Sequence, residues 1–461
     1  MTTHEFAPEI LREYDIRGTV GQNLDEKDAY FLGLSFGSLI RRNGGDVVCV
    51  AYDGRDTSPV YEKQLIKGLN ETGVNVERIG LGPTPLLYFA VKDHMADGGI
   101  MITGSHNPNH MNGFKMTLQS GPVFGEAIKA LAAIAAAGDF EEGKGSVRDV
   151  DMIDTYIERL LRDMNLDKPY KIAWDAGNGA AGALLHKLVS KLSGEHILLY
   201  DTVDGSFPNH MPDPSVDENM QDLKRVVLEQ KCDLGIAFDG DADRIGVIDD
   251  KGNIIRSDML LAVYARDVLE AIPGAPIIAD VKCSNALFEE IRRLGGSAVM
   301  WKTGHSLIKS KMAELNAPLA GELSGHIFFA DKYYGFDDAL YCAVRLLSYL
   351  ERKEVLLSDL LAEMPRPLNT PELRVDVDES EKFKIVEKLK SYLHNNPNQN
   401  IKIDETDGVR VSLEGAWWLL RASNTQACLV ARAEAESKEA LAAAKTHLIS
   451  ALSAVGFDLA F

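Results

Sequence analysis

What most constrains this chain is a pattern that recurs along it. A short apolar run, long enough for a strand and too short for a helix, breaks off into a polar turn containing glycine. Gly-Ile-Met-Ile-Thr at 99–103 runs into Gly104-Ser105-His106-Asn107-Pro108, and Val47-Val48-Cys49-Val50-Ala51 runs into Asp53-Gly54-Arg55-Asp56-Thr57-Ser58-Pro59, read as a turn carrying helix N-cap residues. Tyr170–Trp174 leads to Asp175-Ala176-Gly177-Asn178-Gly179, and 233–238 leads to Asp239-Gly240-Asp241-Ala242-Asp243-Arg244. The same happens at 275–282, at 298–306 and at 320–326. Helical patterns lie between these runs, to about Gly73 and over 126–137, and a further strand is expected near Val74–Arg78. Strands alternating with helices specify a largely parallel sheet covered by helices. Ligands in such sheets sit beyond the carboxyl ends of the strands, where these polar turns fall.

A length of 461 residues exceeds what one core sustains. The pattern restarts near 151 and again near 254, and Pro365-Arg366-Pro367-Leu368-Asn369-Thr370-Pro371 then breaks it. After the break come an alternating strand at 373–377, a charged helix at 380–395, short strands over 401–434 and an alanine-rich helix at 437–453. The expected fold is therefore three successive, similar α/β domains with mixed or parallel sheets, at 1–150, 151–253 and 254–366. A C-terminal α+β domain with an antiparallel sheet follows at 367–461, and the four surround a central cleft.

A net charge of −20 repels nucleic acid and anionic membranes. It also repels phosphorylated metabolites, so a site for one requires cations grouped locally at strand ends. The five cysteines are scattered and none stands in CxxC spacing, which predicts free thiols in a reducing cytoplasm. No run of about 18 apolar residues predicts a membrane span, and the N-terminus shows no secretory pattern.

Among the turns, Asp239, Asp241 and Asp243 carry the strongest chemical signal. Three carboxylates on alternate residues after an apolar strand repel one another unless a cation sits among them, and hard oxygen ligands suit Mg²⁺, Mn²⁺ or Ca²⁺. An EF-hand is excluded, because Arg244 stands where its glycine belongs and Asp250 where its glutamate belongs. Ser105 beside His106 offers a hydroxyl that becomes a nucleophile only if something activates it. Glu322 and Ser324 suit sugar hydroxyls. Arg421, Ser423, Asn424 and Thr425 form a donor-rich cradle for phosphate. Gly177-Asn178-Gly179 fits neither common nucleotide-loop pattern and reads as turn chemistry.

Thr103-Gly104-Ser105-His106-Asn107-Pro108, Asp239-Gly240-Asp241-Ala242-Asp243-Arg244, Gly321-Glu322-Leu323-Ser324-Gly325-His326 and Arg421-Ala422-Ser423-Asn424-Thr425 occur in that order. With Tyr14-Asp15-Ile16-Arg17-Gly18 near the start, the chain resembles the α-D-phosphohexomutase superfamily along essentially its whole length. The bacterial phosphomannomutase/phosphoglucomutase branch is the most similar. The resemblance implies that Ser105 carries a phosphoryl group and that Asp239, Asp241 and Asp243 bind one Mg²⁺, with an oxygen on Ser105 as a further ligand. It implies that Glu322 and Ser324 hold sugar hydroxyls and that Arg421, Ser423, Asn424 and Thr425 hold the non-reacting phosphate. Tyr14, Arg17, Lys115, Arg244, Lys282, His305 and His326 would line the cleft, with His106, Lys115, Arg244 and His326 assisting the chemistry at Ser105. The implied reaction is reversible transfer between the 1- and 6-positions of mannose or glucose phosphate through a hexose 1,6-bisphosphate. The protein would act as a cytoplasmic monomer on small-molecule hexose phosphates, with neither nucleic acid nor membrane as partner. His326, His305 and Lys115 remain open as the base. Leu323 stands where this branch often has Met, and the glucosamine-mutase branch differs there. The rival readings are a phosphoglucosamine mutase, a phosphatase using Asp239 as nucleophile, and a non-catalytic sugar-phosphate binder.

Overall fold

A computed structural model describes residues 3–397 and 401–459. Four sheets follow one another along the chain. The first contains β1 (Ile16–Thr19), β2 (Val47–Tyr52), β3 (Asn75–Leu81), β4 (Gly98–Ile102), β5 (Met111–Leu118), β6 (Gly121–Pro122) and β7 (Val147–Asp149). Its path runs β1-β5-β4-β2-β3-β7, with β6 beside β5. The β4, β2, β3 and β7 neighbours are parallel, and β5 joins antiparallel to both β1 and β4. The second sheet contains β8 (Tyr170–Asp175), β9 (Gly194–Leu199), β10 (Leu234–Phe238), β11 (Ile245–Asp249) and β12 (Ile254–Ile255), ordered β12-β11-β10-β8-β9. The third contains β13 (Pro276–Asp280), β14 (Ser297–Trp301), β15 (Leu319–Gly321) and β16 (Ile327–Phe329), ordered β14-β13-β15-β16. The fourth is wholly antiparallel: β17 (Leu368–Asn369), β18 (Leu373–Asp376), β19 (Lys402–Asp404), β20 (Val409–Leu413), β21 (Ala416–Ala422) and β22 (Cys428–Ala435).

The fold is thus the expected one of three mixed α/β sheets and a last antiparallel one. The expected strand near 74–78 continues to Leu81, paired with β2 through an irregularity after Val50. The turn at Asp53–Pro59 leads into a helix, as expected. Thr57 is the N-cap of the helix Ser58–Glu71 and makes no side-chain cap bond. Asp53 and Arg55 turn away to brace the neighbouring serine turn.

The central strands β4, β10 and β13 are buried along nearly their whole length, as continuous apolar runs between helical layers require. One core runs unbroken from Leu86, Leu87 and Met101 through Trp174, Ile236 and Phe238 to Ile277, Leu319 and Phe329. The first three sheets therefore share apolar contacts and hold their strand ends in fixed relation. The fourth has its own core around Trp418, Leu420, Leu429 and Leu448. It meets the third through a small cluster of Val281, Trp417 and Leu419. All five cysteines are buried free thiols. Among the described residues, no helix is long and apolar enough to cross a membrane.

Candidate active site

Ser105 follows β4 with a positive φ of 50°, a conformation that non-glycine residues avoid. The turn is held there from below. Arg55, 1% exposed, donates to the carbonyls of Ser105 (2.8 Å), Asn107 (2.6 Å), Pro108 (2.7 Å) and Met111 (2.9 Å). Asp53 fixes the guanidinium at 3.1 Å and accepts from Thr103 Oγ1 and the Gly104 amide. A Cβ on Gly104 would lie 2.4 Å from the Arg55 guanidinium carbon, so this brace requires glycine.

The turn after β10 meets that serine. Ser105 Oγ donates to Asp239 Oδ2 at 2.8 Å and lies 3.2 Å from His106 Nδ1. Asp239 Oδ1 accepts from the amides of Asp243 and Arg244, both at 3.1 Å. Lys115, from β5, donates to Asp241 at 2.6 Å and Asp243 at 2.5 Å. Thr84 Oγ1 also donates to Asp241. One ligand atom from each of the three aspartates can be chosen so that all lie within 4.8 Å of one another. Asp241 Oδ1 and Asp243 Oδ1 are buried and make no hydrogen bond among the described residues. The triad can therefore hold a metal ion.

Charge explains the local balance. Burial, then repulsion from Asp243 and Asp241, pushes the Asp239 carboxyl well above its ordinary range. Burial opposes ionisation of Asp241 too, but the Lys115 ammonium overrides it and holds that carboxyl low. Burial likewise works against the charge on Lys115, and Asp241 and Asp243 raise it well above normal. Lys115 and Arg244, whose Nε lies 4.0 Å from Asp239, set two positive charges against three carboxylates and leave the pocket short of one.

Gly240 lets the two turns touch. A Cβ there would stand 2.2 Å from the Ser105 carbonyl oxygen. Gly240→Ala should part the serine from the aspartates and lower kcat about 100-fold. Steady-state kinetics beside a circular-dichroism melt checks this; unchanged kcat would show that the contact is dispensable.

Arg244 and His326 come together through a backbone bridge between the second and third sheets. Arg244 Nε donates to His326 Nε2 at 3.0 Å, so the ring proton resides on Nδ1. Nδ1 faces Asp337 Oδ2 at 2.9 Å and Asp243 Oδ1 at 3.5 Å. Lys309 holds the other Asp337 oxygen at 3.0 Å. His305 stacks on His326, with ring centroids 5.4 Å apart. Burial and the Lys309 charge keep His305 well below the usual imidazole range. Burial, Arg244, Arg17 and Lys115 do the same to His106.

The remaining candidates lie at strand ends and turns of the first, third and fourth sheets. Glu322 accepts the Gly304 amide at 2.5 Å, and Ser324 lies 3.5 Å from its other oxygen. Burial raises the Glu322 carboxyl above normal, against the pull of His326. Arg17 binds Asp15 at 2.5 Å and Asn107 at 3.2 Å. Tyr14 donates to the Thr303 carbonyl at 2.7 Å and accepts from Asn424 at 2.6 Å, joining the first, third and fourth sheets. Arg421 donates to Asp407 at 2.9 Å, and the same Asp407 oxygen accepts the Thr303 amide. Ser423 Oγ accepts the amides of Thr425 and Gln426. Lys282 lies 3.2 Å from Glu372 and 3.8 Å from Asp280.

The structure thus gathers residues from distant turns, and adds several that the sequence reading passed over. Asp53 and Arg55 were visible as a strand-end turn of the recurring kind. Thr84, Asp337, Asp407 and Glu372 carry no local signal.

Family models match in order along the chain. Phosphoglucomutase/phosphomannomutase alpha/beta/alpha domain I covers residues 8–142, domain II 154–252, domain III 256–368 and the C-terminal domain 372–450. A phosphomannomutase/phosphoglucomutase of Pseudomonas aeruginosa is 44% identical over 450 residues, covering 98% of this chain and 96% of that protein. A phosphoglucomutase of Neisseria gonorrhoeae is 41% identical, covering 94% of each. The crystal structure of a phosphoglucomutase/phosphomannomutase family protein from Burkholderia thailandensis superimposes with a TM-score of 0.92 at 41% identity, covering 98% of each chain.

Proposed function

The chain belongs to the phosphoglucomutase/phosphomannomutase family and is a hexose-phosphate mutase, and from that premise we propose how its residues perform the exchange. A phosphoryl group passes reversibly between the 1- and 6-positions of mannose or glucose phosphate through phospho-Ser105 and a hexose 1,6-bisphosphate. The observation that carries this reading is the buried 2.8 Å contact between Ser105 Oγ and Asp239. With domains at 1–150, 151–253, 254–366 and 367–461, each sends at least one turn into the cleft.

Mg²⁺ fits the triad. Asp241 Oδ1 and Asp243 Oδ1 are buried acceptors without a hydrogen-bond partner among the described residues, and all-oxygen sets favour hard cations. Asp239, Asp241 and Asp243 would hold one ion together with an oxygen on Ser105. When bound, the ion supplies charge neutralisation at the transferring group.

The protein's own groups do the rest. Glu322 and Ser324 hold hydroxyls that mannose and glucose share, while Arg421, Ser423, Asn424 and Thr425 hold the distal phosphate. His326 takes the proton of the attacking sugar hydroxyl at Nε2 as Arg244 turns its guanidinium toward the phosphoryl group. Arg244 donates to Nε2 and the Asp337 charge stands 2.9 Å from Nδ1, so the ring presents its lone pair at Nε2, and His326 serves as the base in this scheme ahead of His305 and the ion-paired Lys115. The new oxygen–phosphorus bond forms as the bond to Ser105 Oγ breaks, and Lys115 and Arg244 stabilise the transferring charge. The bisphosphate then turns end for end, and the same steps run in reverse. The Tyr14–Thr303–Asn424 contacts shield phospho-Ser105 from water. One chain holds every group in this scheme, which supports a monomer, and the buried thiols support a reducing cytoplasm.

A coupled assay with mannose 1-phosphate and glucose 1-phosphate, primed by a trace of bisphosphate, tests the reading. Removal of divalent ions with EDTA should cost about 1000-fold or more in turnover, restored by added Mg²⁺. Full activity after chelation would overturn the metal assignment.

A further inference from the structure

Lys282 is 6% exposed and stands at the end of β13, where the third sheet meets the fourth. Arg432 grips its carbonyl at 2.5 Å, and Arg410 grips the carbonyls of Val281 and Cys283 on either side, at 2.6 and 3.1 Å. Its backbone is thus tied to the last domain. Its ammonium is tied there as well, because Glu372, just past the proline-rich break, lies 3.2 Å away. Arg374 holds the other Glu372 oxygen at 2.9 and 3.1 Å and fixes the carboxylate in place. A Lys282 charge wanted only for phosphate would need no such partner, since Asp280 already lies 3.8 Å away.

We propose that Glu372 is a positioning residue that part-neutralises Lys282, limiting the cleft's grip on phosphate so that a bisphosphorylated sugar can release and turn. The inference rests on the mutase reading above and deepens it. Lys282 and Arg421 are near enough for each charge to bear on the other, and each is ion-paired by a carboxylate of the last domain, Glu372 and Asp407. An incoming phosphate displaces part of this internal pairing and gains less than it would from a bare cation. Such restraint suits the reaction. Grip that is equal in every bound state lowers KM without raising kcat, and it slows each release. The cycle requires the two phosphates of one sugar to exchange places, so a tighter site stalls it.

The test measures glucose 6-phosphate affinity by calorimetry in a Ser105→Ala background, where nothing turns over, and kcat and KM in the active enzyme. Glu372→Gln keeps the shape and removes the charge. It should tighten binding and lower KM roughly tenfold while lowering kcat, the opposite of the raised KM that general damage brings. Glu372→Asp should return both toward wild type. Arg374→Gln alters a half-exposed side chain, leaves Glu372 wholly to Lys282 and should weaken binding. Unchanged or weaker binding in Glu372→Gln overturns the proposal. If that variant does not fold, unchanged or tighter binding in Arg374→Gln overturns it. Lys282→Met separates the two levels: if it leaves affinity unchanged, the substrate reading of this cleft fails. If it weakens binding and Glu372→Gln does not tighten it, only the present proposal fails.

Discussion

Ser105→Ala is expected to lower mutase turnover by about 10,000-fold or more while the protein still folds and still binds hexose phosphate. The side-chain oxygen is the only group in the scheme that accepts and returns the phosphoryl group, so no neighbour substitutes for it. Structural cost should be small. The strained φ of 50° suits alanine no worse than serine, and the turn is held by carbonyls that Arg55 reaches whichever side chain is present. Asp239 loses one donor but keeps the amides of Asp243 and Arg244. Intact-mass measurement gives a second readout. Wild-type enzyme exposed to bisphosphate should carry one phosphoryl group, mapped to Ser105, and the variant none. Wild-type turnover in the alanine variant, or phosphate mapped to Asp239, would refute the mechanism. The second result would favour a phosphatase.

Much of this site was legible in the sequence because its makers are local. The aspartate triad lies within five residues of chain, and carboxylates crowded at that spacing behind an apolar strand call for a cation among them. Ser105 was legible for a similar reason, as a hydroxyl in a glycine-bearing turn at a strand end. That these two turns touch was not legible from either one. It depends on a core shared between the first and second sheets and on Gly240, whose missing side chain leaves room for the Ser105 carbonyl. The Asp53–Arg55 brace shows the same limit. Its residues were seen in a strand-end turn, but nothing local named the partners of Asp53 and Arg55. Arg55 satisfies four carbonyls of a turn some fifty residues later. Asp337 lies outside any motif, because its role is fixed only when β16 brings His326 beside it.

That aspartate carries the second large expectation. Asp337→Asn should lower kcat by about 100- to 10,000-fold with little change in KM. Asp337 is wholly buried, and its carboxylate lies between Lys309 and the Nδ1 edge of His326. Burial alone would raise its pKa, but Lys309 and the two histidines hold it well below the normal range, so it stays ionised and acts only as an acceptor. The Arg244 Nε–H at Nε2 sets the proton on Nδ1, the Asp337 charge 2.9 Å from that edge favours it there, and Nε2 can take a proton from the sugar once Arg244 turns away. Asparagine presents the same outline with an N–H₂ that can donate to Nδ1. The ring proton then moves to Nε2, where it opposes Arg244 Nε–H at 3.0 Å and blocks uptake of the substrate proton. Asp337→Glu keeps the charge and should recover part of the loss, which a merely structural role would not predict. If Asp337→Asn leaves kcat intact, His326 is not the base, and the choice returns to His305 and Lys115.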